Sequence, residues 1–433
     1  MSNLKASHAI IFLIPFYIIF MSFSRGFYNQ SAFYILLSAF VLFTILFLGK
    51  YFKLTNTPAK QIEGNLFLIA IFSIMTSFFF VKGLYQADGP ILQFNYIALI
   101  LVLFLVLTFS MQKDAKLLIK YRFTVIILIS VAIKVLLIIA SPHPTIDVFD
   151  SLKKGGEALL EGKNPYNFQY GQIYKNVAPL TYFPYPPGSL LLLAPTVLIF
   201  KDPRMLMILS QTFTTLILFQ ILKRQCKSRR VQELIPIIFL YFPMSFFIIE
   251  QSWLDPLVVF LVSLFAFLNL TSKNQKLAKV LALSITIIVK QYMPFILLFL
   301  LKNISKYLKI ILLSVGVASA ILLLFYLPNP EKFNVFRTDY IYRFDSLTLI
   351  AFVHNSFGLT IPKYIIYLLW GLLALVALKP KGPQDHQIYL SMSYWLLGFF
   401  LFSFIAFVNE YYLSFSILLL AYTLSFNKSG SIS

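Results

Sequence analysis

Apolar residues dominate the chain in runs of 15 to 20, separated by short polar loops. A helix of about 20 apolar residues crosses the hydrocarbon core of a bilayer, where every backbone amide needs an internal hydrogen bond. The pattern therefore predicts an all-α polytopic membrane protein with about 12 full transmembrane helices. The predicted crossings are 9–23, 32–49, 65–81, 91–109, 123–140, 205–222, 234–249, 256–270, 308–327, 361–378, 388–408 and 411–426.

Two apolar segments do not fit a simple crossing. Segment 188–200 has 13 residues, and as a helix it covers about 20 Å of a hydrocarbon core about 30 Å thick. We expect it to lie at the membrane surface or to dip in and return. Segment 280–301 has basic flanks, and Lys290, Gln291 and Pro294 interrupt its middle. This pattern predicts a re-entrant hairpin of two short helices with both ends on one side.

The distribution of charge predicts the orientation. With these two choices, the inside loops carry 22 Lys/Arg and 4 Asp/Glu, whereas the outside loops carry 12 of each kind. Cytoplasmic loops of membrane proteins are enriched in Lys and Arg. Both termini are therefore predicted in the cytoplasm, and the long loop 142–187 on the extracytoplasmic side. Lys134 lies within an apolar run near its end, and we expect its side chain to snorkel to the interface.

Composition excludes several classes of protein. The chain is 59% hydrophobic and 12% charged, about half the charged fraction of a soluble domain. The net charge of +20 is spread over short loops, so it does not indicate nucleic-acid binding. Cys226 is the single cysteine, which excludes an intrachain disulfide. Glycine-rich nucleotide loops, HExxH and Cys/His clusters do not occur, so nucleotide hydrolysis and zinc chemistry have no support.

The long loop contains a predicted amphipathic helix, 147–162. Its apolar residues recur at i, i+3 and i+4, and Gly162 suits the position after the helix end. We expect this helix to lie on the outer membrane surface. Asp147 opens it, at the depth where a lipid headgroup meets water, and is the candidate catalytic carboxylate, with Asp150 as a second acid. Equally open is a structural role, with Asp147 as the N-cap and Asp150 favoured by the helix dipole.

Three cations are candidate ligands of a phosphate. An ammonium in the middle of an apolar hairpin costs at least ~2.5 kcal/mol unless it meets a partner, so Lys290 is expected to face an anionic ligand or a buried acid. Snorkelling to the interface is the alternative, although it is harder from the middle of a helix than from its end. Arg337 and Arg343 lie in the outer loop 328–345. Guanidinium groups suit phosphate, although ion pairs with Asp339 and Asp345 are an equal alternative.

Further polar and aromatic residues of the outer side are candidates for substrate contact. Aromatic rings can stack on sugar faces, but aromatic belts at membrane interfaces and helix-end positions are the alternatives. The candidates are Asn164, Tyr166, Tyr185, Gln251, Asp255, Gln291, His354, Glu410 and Tyr411.

Acids and cations at interface depth suit transfer from a lipid phosphate donor. A carboxylate takes a proton from the acceptor hydroxyl, and cations stabilise the departing phosphate. A monophosphate leaving group carries less charge than a diphosphate. No metal ligands and no other cofactor are therefore predicted, and a divalent metal stays an alternative.

Several segments carry a family resemblance, in the family's order, over about residues 145 to 420. They are TIDVFDSLKKGGEALLEGKNPY, YFPYPPGSLLLLAP, EQSWLDPLVVFLVSL, VKQYMPFILLFLL and NEYYLSF. The chain resembles the GT-C superfamily of glycosyltransferases that use polyprenyl-phosphate sugars, and its bacterial mannosyltransferase-like branch in particular. The resemblance implies a first outer loop with surface helices and a catalytic acid at Asp147. It also implies a lysine in a short hairpin near the lipid phosphate, which Lys290 matches.

The sequence departs from the family in two respects. Four additional apolar spans precede the family core, and the acidic motif is D-x-x-D rather than an adjacent pair. The expected organisation is N-terminal transmembrane helices in 1–122, a catalytic membrane domain in 123–426 with the extracytoplasmic loop 141–204, and a cytoplasmic tail in 427–433.

The expected function is inverting transfer of a hexose, mannose first, from a polyprenyl phosphate to a lipid or glycan acceptor. The reaction is expected outside the cytoplasm, at a bacterial inner membrane. Two alternatives are a lipid or sugar transporter or flippase, and a polymerase or ligase of surface glycans. A transporter predicts broken helices and charges near the midplane in two related halves.

Overall fold

A computed structural model describes most of the chain. The described residues are 6–24, 26–49, 59–86, 88–109, 116–171, 173, 182–271, 274–333, 335, 343–379 and 384–426. Within these ranges, the regular elements are helices. The predicted all-α class is confirmed.

The α-helices are α1 (Ala6–Ser24), α2 (Gln30–Leu48), α3 (Ala59–Ser77), α4 (Pro90–Leu107), α5 (Lys116–Ala140), α6 (Asp147–Leu160), α7 (Pro187–Phe200), α8 (Arg204–Gln225), α9 (Arg229–Leu240), α10 (Met244–Glu250), α11 (Asp255–Thr271), α12 (Lys276–Ile287), α13 (Ile296–Leu300), α14 (Ile304–Tyr326), α15 (Leu349–Phe357), α16 (Lys363–Leu378), α17 (Asp385–Leu401) and α18 (Val408–Leu424). Short 3₁₀ turns occupy Pro165–Asn167, Met293–Phe295 and Leu301–Asn303.

Several of these helices have the length and apolarity of membrane spans. In the described chain five helical segments meet both conditions, and a sixth does if α9 and α10 are counted as one bent span. Large apolar side chains on such helices point outward, and Ile97 and Leu324 are 64% and 72% exposed. Broad apolar surfaces of this kind face lipid rather than water. The protein is therefore a polytopic integral membrane protein, and the number of twelve crossings stays a prediction.

Helix α17 connects two ends of the bundle. At its start, Asp385 accepts hydrogen bonds from Lys306 Nζ at 2.7 Å and from the Tyr307 hydroxyl at 2.8 Å. Near its last residue, the Phe400 ring packs against Tyr292 with 5.2 Å between centroids. We call the end at Asp385 the basic end and the end at Phe400 the site end.

The segment from α12 to α14 forms the predicted hairpin. Lys279 of α12 lies within electrostatic range of Lys306 and Asp385, at the basic end. The chain turns at the site end over residues 288–292 and returns along α17 to the basic end. It reverses again at Asn303, whose φ of −127° and ψ of 66° are not helical. Met293–Tyr326 is a helical segment of 34 residues that is long and apolar enough to cross a membrane, but its contacts are those of two separate arms.

Helix α6 is the predicted amphipathic helix, and it packs on α7. Gly156 permits the close approach, because a Cβ there would lie 3.0 Å from the Val197 side chain of α7. After the helix, the Lys163 N–H donates to the Ala158 carbonyl at 2.9 Å, and Gly162 has a φ of +71°. This is the predicted glycine-dependent helix end.

Helix α7 stays at the site end, as its length predicts. Near its start, the Gly188 N–H donates to the Ile288 carbonyl at 2.9 Å, in the hairpin turn. Just beyond its end, Arg204 donates to the Ser141 carbonyl at 2.8 Å, where α5 ends. Both flanks of α7 therefore lie on the same side of the bundle.

The four N-terminal helices belong to the same bundle. The Tyr17 hydroxyl of α1 shares a 2.9 Å hydrogen bond with Ser414 Oγ of α18. Ser77 Oγ at the end of α3 donates to the Tyr241 carbonyl at 2.8 Å. These helices therefore contribute to the core, while the domain boundary at 122 stays a prediction.

Lys134 does not snorkel, so this prediction is wrong. Its side chain is buried, and its Nζ donates to the Leu240 carbonyl at 3.3 Å. Leu240 ends α9, where a 41° bend leads into α10 past Pro243, which has no N–H. A cation favours the negative end of a helix dipole. The polar partner of Lys134 is therefore a carbonyl inside the bundle rather than the interface.

Candidate functional site

A buried ion pair lies at the site end. Asp255 is the first residue of α11, and Lys290 lies in the turn that follows α12. Lys290 Nζ is 2.9 Å from Asp255 Oδ1 and 3.0 Å from Oδ2, and both side chains are almost completely buried. The N-terminus of α11 also favours a negative charge at Asp255. Lys290 therefore has a buried acid, which is one of the two partners that the sequence predicts for it.

Three further residues surround this pair. The Asn409 amide donates to Asp255 Oδ2 at 2.7 Å, and the Tyr292 hydroxyl donates to Asp255 Oδ1 at 3.2 Å. Glu410 Oε1 lies 3.9 Å from Lys290 Nζ, while its other oxygen accepts the Phe407 N–H at 2.9 Å. Lys290 thus stands between two carboxylates from different helices.

Tyr185 connects this cluster to Asp147. It lies in the extended segment before α7, and the Tyr166 hydroxyl donates to its carbonyl at 2.7 Å. Its apolar surroundings raise the pKa of the Tyr185 hydroxyl well above its ordinary value, and the charges of Asp147, Asp255 and Glu410 raise that pKa further. All three carboxylates therefore lie within electrostatic range of one tyrosine.

Asp147 is the first residue of α6 and is not its N-cap. The N-cap is Ile146, whose φ of −141° and ψ of 135° are extended and whose side chain makes no capping bond. Asp147 Oδ1 accepts the Val148 N–H at 2.9 Å, and the side chain is half-buried. Asp147 is therefore not the N-cap residue, although its carboxylate accepts one N–H of the first helical turn.

Asp150 has structural contacts. Its carboxylate pairs with Lys154 Nζ at 2.7 Å, one turn along α6. It also accepts the Gly171 N–H at 3.0 Å, so it holds the following loop against the helix. The proposed second catalytic acid is thus engaged with the loop.

Several predicted substrate residues form hydrogen bonds that join the segments around the site. Gln291 donates to the Pro184 carbonyl at 2.5 Å, which joins the hairpin turn to the segment of Tyr185. Asn164 accepts the Tyr166 N–H at 3.0 Å and donates to the Phe325 carbonyl of α14 at 3.4 Å. These contacts bring the loop, α7, the hairpin and α14 to one place.

Other predicted residues lie around this cluster and contact neighbouring loops. The Gln251 amide donates to Glu250 at 3.2 Å, and the Tyr411 hydroxyl donates to the Leu347 carbonyl at 2.6 Å. His354 stacks on Phe344 at 3.5 Å between ring centroids. The structure thus assigns these three side chains contacts within the protein.

Arg343 forms an exposed pair with Asp345. Arg343 Nε and an Asp345 oxygen are 2.8 Å apart, and the hydrogen bonds from this guanidinium lower the pKa of the Asp345 carboxyl. The guanidinium also lies 5.3 Å from the Phe407 ring, three residues before Glu410. Arg337, the other predicted arginine, lies outside the described residues.

Two residues of the cluster, Tyr292 and Asn409, are absent from the predicted site. Their neighbours in sequence, Lys290 and Glu410, are in it, so adjacency was the available signal. Among the described residues, no group of three His, Cys, Asp or Glu side chains is arranged to hold a metal ion.

The fold and the site define an all-helical integral membrane protein with a buried cluster of two acids and one lysine at one end of its bundle. No protein-family model matches the chain, and no curated protein is similar in sequence. The crystal structure of ArnT from Cupriavidus metallidurans bound to undecaprenyl phosphate is similar, with a TM-score of 0.47 and 14% identity. The similarity covers 70% of this chain and 58% of that one, so the chain spans less than two thirds of that protein.

Proposed function

We propose that the protein is a membrane glycosyltransferase of GT-C type. It transfers a hexose, mannose being the first to test, from a polyprenyl phosphate to a lipid or glycan acceptor, with inversion at the anomeric carbon. The reaction takes place at the site end, which the charge distribution predicts to be extracytoplasmic. Asp147 is the general base for the acceptor hydroxyl.

The observation that carries this proposal is the convergence on Tyr185. The hydrogen bond from Gln291 to the Pro184 carbonyl joins the segment of Tyr185 to the turn that carries Lys290, and the charges of Asp147, Asp255 and Glu410 all act on the Tyr185 hydroxyl. A general base needs access to its substrate, and Asp147 has more of it than Asp255, which is completely buried and bonded to Lys290. The half-buried carboxylate is therefore the one suited to take a proton.

Lys290 and Arg343 are the proposed ligands of the donor phosphate. An ammonium has three hydrogens to donate. Lys290 Nζ lies 2.9 and 3.0 Å from the two Asp255 oxygens and 3.9 Å from Glu410 Oε1, so the donor phosphate is proposed to approach it on the more distant, Glu410 side. Arg343 is half-exposed and adds a guanidinium near Phe407. Arg337 keeps its proposed role in phosphate binding.

The test is transfer from radiolabelled polyprenyl-phosphate hexoses in proteoliposomes that contain a membrane lipid extract. Asp147→Asn is expected to lower turnover about 10²- to 10⁴-fold, the usual contribution of a general base. Glu157→Gln, the same change on the same helix, is the control and keeps turnover. Full activity of a well-expressed Asp147→Asn protein removes Asp147 as the base.

Transport is the second candidate, and one observation favours it. Helix α9 is broken before α10, and Lys134 is buried beside the break. Broken helices with buried charges line the sites of many transporters. The same proteoliposomes separate the two functions, because a transporter moves the labelled lipid across the bilayer while the sugar stays on its phosphate.

A further inference from the structure

The geometry points to Tyr85, in the turn between α3 and α4, as a positioning residue for Asp147. Its hydroxyl holds the backbone just before α6, and Glu250 holds the segment that carries it. This inference rests on the proposed function of Asp147. It gives the N-terminal helices, which the family resemblance does not cover, a direct part in the site.

Glu250 holds the turn after α3 in place by accepting hydrogen bonds from its backbone. Its carboxylate accepts the Leu84 N–H at 2.6 Å and the Tyr85 N–H at 2.9 Å, and the residue is completely buried. Gly83 has a φ of +71°, and a Cβ there would lie 2.3 Å from the carboxylate carbon. The two main-chain donors therefore meet the acid only because residue 83 is glycine. A buried carboxylate with two such donors fixes this turn against α10.

Tyr85 connects this fixed turn to the segment just before α6. Its hydroxyl donates to the Thr145 carbonyl at 3.1 Å, two residues before Asp147. Pro142 and Pro144 have no N–H to donate, so the segment between α5 and α6 has few hydrogen bonds of its own. An external bond at Thr145 therefore restricts where α6 begins, and with it the direction of the Asp147 side chain.

The alternative, a purely structural tie, predicts a different pattern of effects. A tie that only stabilises the fold would change the melting temperature and would act independently of Asp147. A positioning contact instead changes turnover, because displacements on the order of 1 Å at a reacting group can reduce rates about 10²-fold. Its effect disappears once the carboxylate it positions has been removed.

The experiment compares Tyr85→Phe with wild type in the transfer assay with polyprenyl-phosphate mannose. We expect kcat to fall about 10-fold, with the KM for the donor and the melting temperature unchanged. In an Asp147→Asn background the same change is expected to leave the residual turnover unaltered. Tyr96→Phe is the control, because this α4 tyrosine stacks on Phe78 at 6.0 Å and, among the described residues, no hydrogen bond of its hydroxyl is seen.

A second measurement does not depend on the donor. In hydrogen exchange of the purified protein, amides of 145–150 are expected to exchange about 2- to 10-fold faster in Tyr85→Phe, the factor that loss of one hydrogen bond gives. Unchanged exchange there overturns the inference, as does normal turnover of Tyr85→Phe. If the rate losses of Tyr85→Phe and Asp147→Asn multiply in the double variant, the inference is wrong and the Tyr85 contact is a structural tie. Full activity of Asp147→Asn instead removes Asp147 as the base, and this inference with it, but leaves the transfer reaction standing.

Discussion

Lys290 and Asp255 are accommodated inside an apolar bundle by hydrogen bonds from several neighbouring groups. Moving a carboxylate and an ammonium out of water costs several kcal/mol each, and their attraction offsets this only with good geometry and additional hydrogen bonds. Tyr292 and Asn409 provide such bonds to Asp255. The stability of the site end therefore depends more on the completeness of this cluster than on either charge alone.

Removal of one charge of this pair should destabilise the protein more than removal of both charges. Lys290→Met leaves Asp255 buried without its cation, and we expect it to lower the free energy of unfolding by about 3–5 kcal/mol. Adding Asp255→Asn should restore much of this loss. The free energies of unfolding of wild type, Lys290→Met and the double variant are measured on the purified proteins in detergent, with Lys163→Met as the control. The Lys163–Glu161 pair is exposed, so the expected change there is about 0–1 kcal/mol.

The sequence identified both charges of this pair but not their pairing. Lys290 was a candidate because its charge is costly in an apolar hairpin, and Asp255 because it begins a helix on the outer side. Their contact depends on how the hairpin turn packs beside the start of α11, 35 residues away. Tyr292 and Asn409 are not among the predicted site residues, because tyrosines are ordinary at membrane interfaces and a polar residue beside a helix start can serve the helix end alone.

The contact between α7 and the hairpin turn is a backbone contact. Gly188 donates to the Ile288 carbonyl, and a Cβ on residue 188 would lie 2.6 Å from that oxygen. Neither backbone can move aside without shifting Lys290 on one side or Tyr185 on the other. The glycine therefore fixes the distance between two walls of the site.

Gly188→Ala is expected to cost about 1–3 kcal/mol through steric overlap and to reduce transfer activity. The matched change is Gly316→Ala in α14, where a Cβ has nothing within 4 Å. Alanine in a helix interior should be neutral or stabilising there, by up to about 1 kcal/mol. Melting temperatures of the two variants test this, and equal values would contradict it.

At the level of elements, short length and flanking charge were enough to predict that α7 stays on one side and that the hairpin returns. The reversal at Asn303 lies in the basic segment between the predicted hairpin 280–301 and the predicted crossing 308–327. One break was not predicted, the bend between α9 and α10, which lies inside the predicted crossing 234–249. Apolar residues lie on both sides of this bend, so hydropathy alone does not show where the chain turns.

The whole molecule follows the predicted class, and the charge distribution adds an orientation that can be measured. Lys163 lies in the loop of the site end, and Lys223 lies near the end of α8, at the opposite side of the bundle. Positive charges concentrate on the side where Lys223 lies, and this side is therefore expected to face the cytoplasm.

Single cysteines at these two positions, in a Cys226→Ser background, test the orientation. In intact cells freed of any outer membrane, a membrane-impermeant thiol reagent should label Lys163→Cys at once. Lys223→Cys should react only after the membrane is permeabilised. The reverse order of labelling would place the site end in the cytoplasm and contradict the proposed side of the reaction.

The residues that surround Asp255 are far apart in sequence, so they are synthesised at different times. Asn409 is 154 residues later in the chain than the carboxylate it donates to, and Glu410 opens the same last helix. While a ribosome is still making α14 to α17, Asp255 and Lys290 have been synthesised without these two partners. A chain that stops before α18 keeps an incompletely bonded acid among apolar helices, so the site is complete only in a molecule that has been synthesised through α18.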